Sequence, residues 1–101
     1  MGLTKIEVQL SQHFSSAYAQ VIETIATDHG LMPTLKGTLQ QFPGCIHWHF
    51  KRGKEKGVLE ITFWPQELRA WISVHDNRKG AWMEAVIPIL KAPLERSFYE
   101  Y

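Results

Sequence analysis

The chain has 101 residues, of which 45% are hydrophobic and 21% charged, with a formal net charge of +1 at pH 7. That length suits one domain over residues 1–101 with a core large enough to need no staples, and the composition excludes disordered and fibrous classes. The near-neutral charge excludes a global field that would steer the chain to DNA or a membrane, and the single cysteine, Cys45, excludes an intramolecular disulfide.

No stretch approaches the roughly 18–20 apolar residues of a membrane span, and the N-terminus lacks the basic-then-apolar pattern of a signal peptide. Met1-Gly2 opens like a myristoylation motif, but Ile6 stands where that motif takes Ser or Thr. A soluble, cytoplasmic protein with no membrane partner is expected.

Thr4-Lys5-Ile6-Glu7 has the form of a capping box, and Ile6, Leu10, Phe14, Ala17, Val21 and Ile25 follow at three- and four-residue spacing. We read one long amphipathic helix, ended by His29-Gly30 with glycine in the left-handed conformation. In the competing reading the alternating stretch Lys5 to Leu10 is a strand and Ser11 caps a shorter helix. Residues 31–44 hold Pro33, Gly37, Pro43 and Gly44 and read as loop, with Lys36 to Gln40 a candidate short fourth edge strand.

Three strand-like runs follow, Ile46 to Lys51, Val58 to Trp64 and Leu68 to His75, rich in β-branched and aromatic residues. Glycine-bearing and proline-bearing turns join them, so they pair antiparallel as a meander. Keeping the apolar residues together fixes the register. Ile46, Trp48 and Phe50 then share one face with Leu59, Ile61 and Phe63 and with Leu68, Ala70, Ile72 and Val74. Phe50 stands opposite Leu59, and Trp64 opposite Arg69. The second face carries Cys45 beside Trp64 and Arg69, His47 beside Thr62 and Trp71, His49 beside Glu60 and Ser73, and Lys51 beside Val58 and His75.

Asp76 or Asn77 is the expected cap of a last helix through Trp82, Met83, Val86, Ile89 and Leu90, which Pro88 should kink or divide. The expected fold is α+β in the order α-β-β-β-α, a three-stranded antiparallel meander with two helices packed on one face.

Two tryptophans on the second face call for a cover, because a large ring gains about 1.5–3 kcal/mol only when it is buried. Tail, second copy or ligand would each serve. The leading expectation is a non-catalytic interaction module, associating as a homodimer through His47, His49, Glu60, Trp64, Arg69, Trp71 and His75. A basic cluster, Lys51, Arg52, Lys54 and Lys56 with Arg78 and Lys79 at the expected helix start, makes nucleic acid or another polyanion a second candidate partner. His47-x-His49 with Glu60 forms a two-histidine, one-carboxylate set suited to zinc or iron, the basis of a third candidate, a metal-dependent enzyme. Gly-rich phosphate loops, paired cysteines and a serine elbow are absent from the sequence, and no cofactor is expected.

Overall fold

The computed structural model describes residues 2–10 and 17–99, with side chains as far as Arg96. Seven main elements follow in chain order: β1 (Leu3–Val8), α1 (Tyr18–Asp28), β2 (Met32–Gly37), β3 (Ile46–Lys51), β4 (Leu59–Trp64), β5 (Arg69–His75) and α2 (Trp82–Tyr99). The strands form one antiparallel five-stranded sheet in the order β1-β5-β4-β3-β2. The class is α+β, as the sequence implies, but the order is β-α-β-β-β-β-α.

The largest correction concerns the N-terminus. Residues 3–8 form a strand, so the single long helix gives way to the strand of the competing reading and the Thr4–Glu7 capping box does not exist; the helix itself starts at Tyr18 with Ala17, not Ser11, at its N-cap. The cause is β5. In a three-stranded meander it would be an edge with a row of unpaired backbone groups, and β1 satisfies them from Leu3 opposite His75 to Val8 opposite Ala70. Ser11 and Phe14 lie outside the described residues. Helix α1 buries Tyr18, Ile22 and Ala26, one residue round from the stripe of Ala17, Val21 and Ile25. It ends as expected: Gly30 has φ +82°, its N–H donates to Thr27 O, and the Leu31 N–H reaches back to Ala26 O.

Strand β2 begins earlier than the Lys36–Gln40 candidate. It runs along an edge with every residue exposed, and pairing shifts between Pro33 and Leu35. Proline is tolerated there because an edge strand has one unpaired side. In the centre the register is the expected one: Phe50 opposite Leu59, His47 opposite Thr62, His49 opposite Glu60, Trp64 opposite Arg69. Leu68 departs from expectation. It follows the single helical turn Pro65–Glu67 in the left-handed conformation, φ 53°, with 45% of its surface exposed, and does not join the apolar face.

Helix α2 starts at Trp82, after a 3-10 turn over Asp76–Arg78, so Arg78 and Lys79 do not occupy its first turn. It continues through Pro88 and Pro93 without dividing. Proline frees the carbonyl four residues earlier, and the residues concerned, Glu84 and Ile89, are both exposed, where water replaces the lost donor. The opposite side, Trp82, Met83, Val86, Leu90 and Leu94, is buried on the sheet. Both helices cover the face of Trp48, Phe50, Leu59, Ile61, Phe63 and Ile72. The Tyr18 hydroxyl donates to Leu94 O at 3.0 Å and joins them. Among the described residues, no helix is long and apolar enough to cross a membrane.

Glu23 ties α1 to the sheet. Its carboxylate accepts the Trp48 indole N–H at 2.9 Å and the Lys36 ammonium at 2.8 Å. Lys36, then Trp48, hold its carboxyl below the ordinary value against a smaller opposing effect of burial. A lowered carboxylate pKa contributes stability that is present above the unfolded value and is lost as pH falls through the folded one. Glu23→Ala should therefore cost about 1–3 kcal/mol at pH 7, the range for a partly buried donor left unpaired. Urea denaturation at a series of pH values should show that cost shrinking below about pH 4.3, where the unfolded carboxyl takes up its proton; a gap independent of pH would mean that the ionised carboxylate adds nothing.

Candidate functional site

The second face of the sheet is crossed by two rows of side chains. The first runs Leu35, His49, Glu60, Ser73, Lys5, and the second Gly37, His47, Thr62, Trp71, Glu7. At their centre Glu60 is 4% exposed. Its Oε1 lies 3.1 Å from His47 Nε2 and 3.9 Å from His49 Nε2, and its Oε2 lies 3.3 Å from His75 Nε2 and 3.5 Å from Arg78. Oε2 is nevertheless buried without a hydrogen-bond donor among the described residues.

His47 is fixed from both ends. Its Nδ1 lies 2.8 Å from Thr62 Oγ1, so with Nε2–H donated to Glu60, the Thr62 hydroxyl donates to Nδ1. Burial pushes the Glu60 carboxyl up, but the hydrogen bond from His47 and the charges of His49, His75 and His47 outweigh it and hold the group below the ordinary carboxylate value. Burial also lowers the His49 imidazole below its usual value; Glu60 opposes the shift, while His47, Arg78 and His75 add to it. The centre thus pairs an ionised carboxylate with a neutral His49 at pH 7, the two protonation states a metal ion requires of its ligands.

The cover over the tryptophans is the chain's own loop 38–44. The Phe42 ring meets Trp64 edge-on at 5.0 Å and Trp71 at 4.9 Å, and the Trp64 indole N–H donates to Pro43 O at 2.9 Å. Gly44, at φ +86°, turns the chain back into β3, and the Cys45 N–H closes the turn onto Phe42 O. Cys45 itself is a buried free thiol, with the Leu39 N–H directed at its sulfur. The Lys5 ammonium lies 4.2 Å from the Trp71 ring centre and the Arg69 guanidinium 4.7 Å from it, while Arg69 also holds Glu7. With all of this over it, Trp71 is 3% exposed in a single copy of the chain.

Between the loop and the sheet a cleft of about 280 Å³ remains, with His47, Glu60, Ser73, His75, Phe42 and Lys5 in its wall. Several of these contributors were missed from sequence. The sequence pattern puts Lys5 in a helix and Phe42 in loop; an aromatic residue directly before Pro43-Gly44 is the signal that marks the latter. Thr62 and Ser73 looked like ordinary strand polar residues.

The basic residues are also drawn together. Lys51 ends β3, and Arg52, Lys54 and Lys56 lie in the following loop, where Arg52 pairs with Glu55 at 3.4 Å. The Val58 N–H donates to Arg78 O, and the Trp82 indole N–H to Lys56 O, so this loop abuts the segment carrying Arg78 and Lys79. That segment precedes the helix instead of starting it, and Arg78 is turned toward Glu60.

Phe42→Ala should uncover both rings. The side chain is half-buried, so the loss should be about 1 kcal/mol, below the 1.5–3 for a fully buried side chain. Tryptophan emission should shift to the red and become more quenchable by acrylamide; unchanged quenching would show that the loop is not the cover. No protein-family model, curated protein or solved structure matches this chain, and the chemistry of its cleft is read from its own residues.

Proposed function

We propose that the protein is a metal-binding domain that holds one zinc ion between His47, His49 and Glu60. The observation that carries this reading is the convergence of three ligand atoms, one from each residue and all within 4.8 Å of one another, around a carboxylate in the sheet interior. Bond lengths near 2.1 Å at tetrahedral angles put ligand atoms about 3.4 Å apart. The separations of Oε1 from the two imidazoles, 3.1 and 3.9 Å, lie either side of that value. His49 is the less buried histidine, 21% exposed against 6%, and is the one that would move inward.

Two features favour an imidazole-binding ion such as zinc over a hard cation. Arg78 beside Oε2 opposes any cation, so affinity has to come from imidazole nitrogen more than from charge, which disfavours calcium and magnesium with their demand for oxygen ligands. Thr62 would supply the outer support: a His47 that binds an ion through Nε2 would carry its ring proton on Nδ1, 2.8 Å from Thr62 Oγ1 as acceptor. Three protein ligands would leave one position of a tetrahedral ion open, and two of them, His47 and Glu60, stand in the cleft wall.

Self-association drew its motive from Trp64 and Trp71, and loop 38–44 now supplies their cover, so the cleft becomes the preferred site. A buried free thiol suits an intracellular setting. The zinc reading predicts one equivalent of zinc per chain by atomic emission after loading and dialysis. His49→Ala should cut affinity by about 100-fold or more and Thr62→Val by about 10-fold, the scale of lost outer support. Absence of stoichiometric zinc would reject it.

Polyanion binding is favoured by one observation, the Val58 to Arg78 backbone bond that places the two basic segments side by side. A single-stranded oligonucleotide should then bind at low salt, with log affinity falling against log salt by roughly 0.7 per phosphate contacted. Unchanged electrophoretic mobility at low salt would dismiss it.

A further inference from the structure

We propose that the cleft beside the zinc position binds a small monocarboxylate with an apolar body, its carboxylate taking the open fourth position of the ion; this rests on the zinc reading above. The charge of the cleft points to an anion. Lys5 shares the wall with a single carboxylate, Glu60, which Arg78 already approaches to 3.5 Å, and a divalent ion would add further positive charge. Glu7, the neighbouring acid on β1, is engaged by Arg69. Lys5 makes no ion pair among the described residues and has only the rings of Trp71 and Phe42 near its ammonium.

The lining then selects the rest of the molecule. Ser73 stands between Glu60 and Lys5 in the pairing register and is 4% exposed, a hydroxyl placed to donate to a carboxylate oxygen lying between ion and ammonium. The rest of the wall sets the apolar residues Phe42, Trp71, Leu39 and Leu3 beside the polar Gln41, Thr62 and His75. At about 280 Å³ the cleft falls below the usual 300–1,000 Å³ of small-molecule sites, which limits the occupant to about one ring or a short chain. An apolar body with one negative end matches both halves of the wall, whereas a compact, strongly hydrated anion would leave the aromatic half unused.

The test is calorimetric titration of sodium benzoate into the full chain, with zinc content measured first. The zinc-loaded protein should bind benzoate, and the metal-free protein should bind it at least about tenfold more weakly. Lys5→Met, a change at an exposed position of an edge strand, should weaken binding by about tenfold, the scale of one charge-assisted contact, while Lys54→Met should have no effect. Amide shifts on adding benzoate should centre on Ser73 and Phe42. A protein that takes up zinc but ignores benzoate overturns this inference and leaves the zinc site standing. Failure to take up zinc, seen before any benzoate is added, overturns both. Equal affinity for inorganic phosphate, an unaltered Lys5→Met variant, or shifts confined to the Arg52–Lys56 loop would each overturn the assignment of class or place.

Discussion

Glu60 stands on the middle strand of a five-stranded sheet and is nearly sealed from water. An isolated carboxylate in such a place costs several kcal/mol unless charge and hydrogen bonds are brought to it, and the second face can be understood as the means of bringing them. Each neighbouring strand contributes: His47 and His49 from β3, Thr62 from β4 itself as support for His47, His75 from the end of β5, and Arg78 from the turn beyond it. Among the described residues, one oxygen still lacks a hydrogen-bond donor. Burying such a group is costly, since a threonine or valine at that position would fit a sheet at lower cost.

This arrangement is possible because the sheet is covered twice by different means. The helices take the aliphatic and aromatic face and supply the core, with Tyr18, Trp48 and Phe50 among its largest members. Stability is therefore concentrated on one side. The opposite side needs only a short loop, held by one aromatic wedge, one indole hydrogen bond and a tight glycine turn. Covering a face with a loop in place of a third helix leaves a gap beside the wedge, and the cleft is that gap.

The position of Lys5 follows from the same economy. Strand β1 completes the edge of β5 and, by the two-residue period of a strand, puts Lys5 and Glu7 on the second face and Ile6 and Val8 on the other, where Val8 joins the core. One backbone requirement thus delivers both a core contribution and a cation to the cleft. Glu7 is engaged by Arg69, which leaves the Lys5 ammonium, over Trp71, as the β1 charge in the cleft wall.

Where the sequence alone determined the outcome, the controlling forces were local or acted between consecutive strands. The pairing of β3, β4 and β5 could be read residue by residue, because a one-residue slip would send Trp48, Ile61 and Ile72 into water, and it placed His47, His49 and Glu60 on one face. The end of α1 at Gly30 was equally legible, since a left-handed cap is a property of one residue. Tertiary structure decided the rest. Residues 3–8 suit a strand and a helix start almost equally by pattern, and only the open edge of β5, more than sixty positions away, chose between them. The start of α2 and the continuity of its helix through two prolines depended on which side met the sheet. Phe42 acquired its role by landing on Trp64 and Trp71, residues distant in the chain, and no periodicity within residues 38–44 encodes that contact. Local patterns specify which face a side chain takes; what lies across from that face is set by packing energies summed over segments that meet only in the folded chain.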